Sequence, residues 1–247
     1  VIYPQRTIDL NCDLGEGAGM DAELMPFITS ANIACGAHAG DEATMRATVA
    51  LAHQHGVMVG AHPGFADREN FGRAERELTA CALHELVTWQ IEALRELGPV
   101  RHVKPHGALY NQAAKDRAIS DVIVEAIYEC DRSLILFGLA GSELLQAGRE
   151  RGLRVASEVF ADRTYQADGA LTPRSRADAL IQDPGAAAAQ VLRMVREGVV
   201  RATDGSEVKI VADTVCLHGD GAQAVAFARR LNAELRAVGI SLKAVGP

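Results

Sequence analysis

Segments with strand composition and segments with helix composition alternate along this chain about seven times, with no Pro/Gly/Ser-rich linker and no shift in composition. Strands are read at Thr7 to Cys12, Ser30 to Ala34, Val57 to Ala61, Val100 to Lys104, Leu134 to Gly138, Val155 to Val159 and Thr214 to Leu217. Helices run from Ala43 to His55, Thr79 to Leu97, Ala108 to Cys130 with a break near Asp116, Ser142 to Arg151 and Pro184 to Glu197, and a last one reaches about Val238. Asp41 and Thr79 sit where N-caps belong, Gly56 where a helix stops, and Pro184 at a first-turn position. Such an order calls for a mostly parallel sheet covered by helices, in one domain over 1–247. An open doubly wound sheet and a closed barrel with one unit fewer than the eightfold kind both satisfy it.

The polar residues choose between them. Asp13, His38, His62, Lys104 with His106, Glu158 with Asp162, and His218 with Asp220 all fall at the carboxyl ends of strands. An open sheet gathers function at one switch point, whereas a barrel brings every strand end into one ring. A barrel is therefore expected. Along the first strand Asp9, Asn11 and Asp13 alternate with Ile8, Leu10 and Cys12, which places a polar ladder on one face. His102, Lys104 and His106 share a face in the same way, just before and after Pro105. A buried lysine beside a carboxylate could bind an anion, polarise an amide oxygen, or lose its proton and act as a base.

Composition narrows the partners. The net charge of −7 and the lack of a Lys/Arg run argue against nucleic acid, and no apolar run reaches the roughly 18 residues of a membrane span. Five cysteines, odd in number and without a CxxC pair, read as mostly buried reduced thiols in a cytoplasmic protein. Asp13, His38 and His62 would make a plausible metal set, but no HxxxH or HExxH spacing joins these residues and no tightly bound metal is expected. The stretch Gly15-Glu16-Gly17-Ala18-Gly19 lacks the lysine of a phosphate loop.

In order, IDLNCDLGE, ANIACGAHAGD, VGAHPGFADRENFGR, VKPHGALYN, SEVFADRTY, GALTPRS and CLHGD closely resemble the LamB/YcsF family, over nearly the whole chain. The resemblance implies a (β/α)7-type barrel, TIM-barrel-like and related to polysaccharide deacetylase-like barrels. It implies ATP-dependent opening of the lactam of 5-oxo-L-proline to L-glutamate, in a 5-oxoprolinase complex with subunits B and C. ATP, with Mg2+ as its candidate companion, would be co-substrate, bound here or in the partners. On that chemistry, Lys104 meets the substrate carboxylate or the activated oxygen, His106 and His218 carry protons, and Asp13 or Glu158 activates water. Asn11, His38, His62 and Asp220 contact substrate, and Arg163, Tyr165 and Arg174 hold phosphate. A metal-dependent deacetylase or amidohydrolase on a carbohydrate, and a non-catalytic subunit of a hydrolase complex, are the competing readings.

Overall fold

Seven parallel strands close on themselves in the computed structural model, which describes residues 7–218 and 224–246. They are β1 (Thr7–Leu14), β2 (Ser30–Ala34), β3 (Met58–His62), β4 (His102–Val103), β5 (Ile135–Leu139), β6 (Arg154–Phe160) and, after a hairpin of β7 (Val199–Arg201) and β8 (Glu207–Lys209), β9 (Thr214–His218). Pairing of β9 with β1, Asp9 opposite Thr214 and Asp13 opposite His218, completes the ring. The barrel expected from the strand ends is the observed one. A short β10 (Ser241–Leu242) adds to the start of β1 outside it. The hairpin and β10 were not legible in the sequence, because segments of two or three residues carry no periodicity.

Helices α1 (Asp21–Leu24), α2 (Glu42–His55), α3 (Ala80–Arg95), α4 (Gly107–Ala113), α5 (Arg117–Cys130), α6 (Glu143–Arg151), α7 (Pro184–Glu197) and α8 (Ala224–Ala237) follow the strands. Their ends obey local chemistry. Asp41, Thr79, Asp116, Ser142 and Asp183 each accept a hydrogen bond from a first-turn N–H, and Gly56, Gly152 and Gly198 close helices in the left-handed conformation. Asp116 is the break expected within the 108–130 run. Leu83, Val87, Ile91 and Leu94 form the buried stripe of α3.

The main apolar core lies between strands and helices, where Ile8, Leu10, Cys12 and Leu14 of β1 point outward. The barrel interior is polar instead. Asp9 is fully buried and accepts from Thr29 at 2.6 Å, from Ser30 at 2.7 Å and from Thr214. Burial raises its pKa, against the pull of these hydroxyls. Among the described residues, the small cluster of Ile135, Phe137 and Ala156, covered by Val245, forms an apolar interior plug. His102 stacks on Phe137 with ring centroids 4.3 Å apart and meets Asn32 Oδ1 through Nε2 at 2.8 Å. Beyond it, Pro105 has no N–H to continue the β4 ladder, which explains why so short a strand is followed at once by α4.

Gly60 makes room for that imidazole: a Cβ there would lie 2.1 Å from His102 Nε2. Gly60→Ala should therefore cost ~3 kcal/mol in urea unfolding through overpacking, and His102→Ala in the same chain should recover part of the loss. Burial first, then Lys104, lowers the His102 pKa to about 3. Below the ordinary value of 6.5 the unfolded chain takes up a proton at His102 that the folded chain refuses until about pH 3. Stability should consequently fall as pH drops through that window, by up to ~1.4 kcal/mol per pH unit from this residue. Unfolding curves recorded at several pH values should show a shallower dependence for His102→Gln; an unchanged slope would refute the assignment.

Candidate active site at the strand ends

Lys104, just past β4, is buried at the centre of the ring, with 2 % of its surface exposed. Its Nζ donates to Asp13 Oδ1 at 2.8 Å, to Cys216 Sγ at 3.1 Å and to Asn11 Oδ1 at 3.3 Å, and lies 2.9 Å from Glu158 Oε1. Burial alone would strip its proton, but the carboxylates of Asp13 and Glu158 hold its pKa well above the ordinary lysine value. Held in this way Lys104 is a paired cation, which favours the anion-binding and oxygen-polarising readings over that of a base. Glu158 is sealed, its Oε1 accepting from Asn11 at 3.0 Å and its Oε2 from the Tyr110 hydroxyl at 2.7 Å. Asn32 ties Asn11 Oδ1 and Asp13 Oδ1 together at 2.7 and 2.8 Å. Cys216, whose thiol burial pushes up well above its ordinary pKa, remains protonated.

Beside this cage stand three imidazoles. His62 Nδ1 lies 2.7 Å from the carbonyl of Lys104, and His62 Nε2 lies 3.4 Å from Asp13 Oδ2 and 3.0 Å from His106 Nδ1. His106 Nε2 meets the carbonyl of Phe71 at 2.9 Å. His38 stacks flat on His106, centroids 3.8 Å apart. Burial followed by neighbouring His62 lowers the pKa of His38 to about 3 and of His106 to about 2, so both are neutral near pH 7. Phe71 holds its carbonyl in place at a φ of 55°, an uncommon conformation for a bulky residue. Gly72, with φ +64, lets the loop pass the rings, since a Cβ there would sit 2.8 Å from His38 Cβ. Gln90 of α3 clamps the turn after β3 by bonding both the N–H and the carbonyl of Gly64.

A cavity of about 410 Å³ opens above these groups, with Asp13, Glu16, His62, Lys104, His106 and Tyr110 on its wall. Arg73, Lys115, Arg163, Arg174 and Glu75 also line it, so basic side chains outnumber acidic ones on its wall.

Of the residues expected from the sequence, Asn11, Asp13, His62, Lys104, His106 and Glu158 come together as one bonded network. His38 joins it through the stack on His106. Arg163 reaches the cavity wall but spends its guanidinium on the carbonyls of Thr172 at 2.7 Å and Ala179 at 3.4 Å; burial lowers its pKa to about 10. Arg174 lines the cavity. Tyr165 does not: it is fully buried, and its hydroxyl accepts from the Phe160 N–H at 2.8 Å, so its expected contact with phosphate is corrected to a structural role. Asp220 and the His218 side chain lie outside the described residues. Of the thiols expected to be mostly buried, Cys12, Cys35 and Cys216 are so, Cys130 is half-buried and Cys81 is exposed.

Several contributors escaped sequence reasoning, Cys216, Arg73 and Lys115 among them. Tyr110 follows His106 by one helical turn, and that i, i+4 spacing from a site histidine was its available signal. Asn32 was hidden inside a short apolar strand. Glu16 stands in its glycine loop directly after the strand that carries Asp13, where the surrounding glycines suggest a phosphate loop and draw attention from the carboxylate. It lies 3.4 Å from His38 Nε2 and 3.5 Å from His106 Nδ1. Glu16, His38, His62 and His106 are a group able to hold a metal ion, where no tightly bound metal was expected.

Comparison with known proteins extends this picture. Residues 8–247 match the model of the LamB/YcsF family. A Bacillus licheniformis protein, named as the A subunit of 5-oxoprolinase, is 55% identical over 96% of this chain and 98% of its own length. One of the same name from Tolumonas auensis is 51% identical over 96% and 99%. The crystal structure of a lactam utilization protein from Thermus thermophilus superposes with a TM-score of 0.91 at 42% identity, covering 97% of this chain and 100% of that one. A family 4 carbohydrate esterase from Streptomyces lividans shares the fold alone, with a TM-score of 0.51 at 11% identity over 99% and 95% of the two chains. The barrel, the polar ring at its strand ends and these matches together make the chain a member of the LamB/YcsF family.

Proposed function

We propose that this chain, working as one barrel domain over 1–247, is the A subunit of an ATP-dependent 5-oxoprolinase, a hydrolase that opens the cyclic amide of 5-oxo-L-proline to L-glutamate. The observation that carries this reading is the Lys104 cation clamped between Asp13 and Glu158 beneath a cavity whose wall carries more basic than acidic side chains. The relatives that bear the 5-oxoprolinase name, at more than half identity over almost the whole chain, support the substrate and the complex with subunits B and C. The buried free thiols Cys12, Cys35 and Cys216 support a reducing, cytoplasmic setting. Among the described residues, no helix is long and apolar enough to cross a membrane.

A five-membered lactam is a poor electrophile, and ATP supplies the activation. Phosphoryl transfer to the lactam oxygen gives ADP and an imidate phosphate. One water adds to the imidate carbon and the ring C–N bond breaks, leaving the amine and an acyl phosphate. A second water cleaves this to L-glutamate and phosphate. Asp13, which reaches the cavity wall, is the group that orients and deprotonates water, whereas Glu158 is fully buried, has both oxygens occupied and positions Lys104. Lys104 lies between two carboxylates and so does not attract the substrate carboxylate. It pairs with Asp13 at 2.8 Å and turns a positive charge toward oxygen as negative charge develops there. Arg73, Lys115 and Arg174 on the cavity wall are better placed for the anionic groups. His106, neutral near pH 7, presents an electron pair to the cavity in place of a proton.

With subunits B and C present, Lys104→Met should lower 5-oxoproline-dependent glutamate formation by ~100-fold or more while circular dichroism shows the fold retained. Full turnover in that variant would refute the reading. Tyr165→Phe, by contrast, should cost ~1 kcal/mol of stability through the lost bond to Phe160 and leave turnover near normal; an activity loss on the scale of Lys104→Met would return Tyr165 to the site.

A further inference from the structure

Two electron pairs face each other at the cavity wall. His62 Nδ1 and His106 Nε2 each lie against a backbone carbonyl, at 2.7 and 2.9 Å. A carbonyl only accepts, so those nitrogens carry a ring proton, and a ring with that one proton turns its lone pair outward, at His62 Nε2 and at His106 Nδ1. These two atoms are 3.0 Å apart. Two acceptors at hydrogen-bond distance repel unless a cation sits beside both.

The surroundings select a metal ion over a shared proton. A proton needs two acceptors, but here a carboxylate oxygen and a third imidazole converge as well. Glu16 Oε1 lies 3.5 Å from His106 Nδ1 and 3.4 Å from His38 Nε2, and donor atoms of all four residues lie within 4.8 Å of one another. Around a tetrahedral ion with bonds of about 2.0–2.1 Å, neighbouring ligand atoms stand ~3.3 Å apart. Separations of 3.0 and 3.5 Å match that edge length. The carbonyls of Lys104 and Phe71 are also the kind of outer support that metal-bound histidines use to fix tautomer and ring direction.

We propose that Glu16, His62 and His106, assisted by His38, bind one divalent first-row transition ion of the zinc class at the cavity wall. Nitrogen donors with one carboxylate suit zinc and its neighbours better than magnesium or calcium, which favour oxygen ligands throughout. Glu16, His62 and His106 border the cavity, so an ion held by these three would leave its fourth position toward the cavity until His38 turns in. There it would polarise a carbonyl oxygen or ionise a water. His38 is the assisting group because its ring lies parallel to that of His106, at an interplanar angle of 2°, and its own lone pairs miss an ion in the His106 plane. Both His38 ring nitrogens are buried without a hydrogen bond, Nε2 lying 3.4 Å from Glu16 Oε1, so no bonded partner fixes this ring in its present position.

The full chain, stripped with chelator and dialysed, is titrated with Co2+ by visible absorption and with Zn2+ by calorimetry. One ion per chain is expected. His106→Ala and the near-isosteric Glu16→Gln should weaken binding by more than ~100-fold and His38→Ala by ~10-fold. His84→Ala, which removes a surface imidazole paired with Glu129 at 3.0 Å, should change nothing. Circular dichroism of each variant separates lost ligands from lost fold. The proposal is overturned if the unsubstituted chain takes up neither ion, the facing nitrogens then sharing a proton. It is equally overturned if uptake persists unchanged in both His106→Ala and Glu16→Gln. No lactam, ATP or partner protein enters the titration, so its outcome is independent of the 5-oxoprolinase reading.

Discussion

The burial of one ammonium group inside a barrel sets the terms for everything around it. An unpaired charge there would cost far more than the fold's net stability, and one carboxylate would leave donors unused. Asp13 and Glu158 supply the charge, while Asn11 and Cys216 complete the Nζ contacts. Each of these then needs partners of its own, which the neighbouring strands and α4 provide as Asn32, Thr214 and Tyr110. The polar interior is therefore one connected demand starting from Lys104, and it explains why hydrophobic packing is displaced to the outer face of the strands. Such a network does not stabilise the fold relative to an apolar core, so its presence argues for chemistry.

The imidazole wall depends on backbone more than on side-chain partners. His62 and His106 are oriented by carbonyls of Lys104 and Phe71, so β4 and the loop after β3 together determine which nitrogen faces the cavity. Phe71 accepts an uncommon backbone conformation and Gln90 staples Gly64 from α3. A helix whose stripe looks ordinary thus contributes one buried amide that aims the site.

Helix limits, caps and most strand positions were legible because each rests on neighbours in sequence: a side chain three residues from an N–H, a glycine at a left-handed stop, an alternation of period two. The polar ladder of β1 and the pairing of Lys104 with a carboxylate were legible for the same reason, since parity along a strand is local. Tyr165 misled because a tyrosine beside an arginine and an aspartate on a long loop looks like a binding surface until the loop folds back over it. Glu16 was undervalued because a glycine-rich setting suggests a phosphate loop, and nothing within the loop reveals which rings it will meet.

By itself, then, the sequence determined the alternating order, the closed ring of strand ends and the inward face of each strand, since these follow from short-range geometry and from the cost of burying polar groups unpaired. Only the tertiary structure decided which of those polar groups touch. It set Lys104 between two carboxylates and so kept it charged, sealed Glu158 away from the cavity while leaving Asp13 on its wall, and turned two imidazole lone pairs toward one point. Contacts between β1, β4, β6 and β9 span most of the chain, and distances of a few ångströms between such elements depend on barrel closure, which no local pattern encodes.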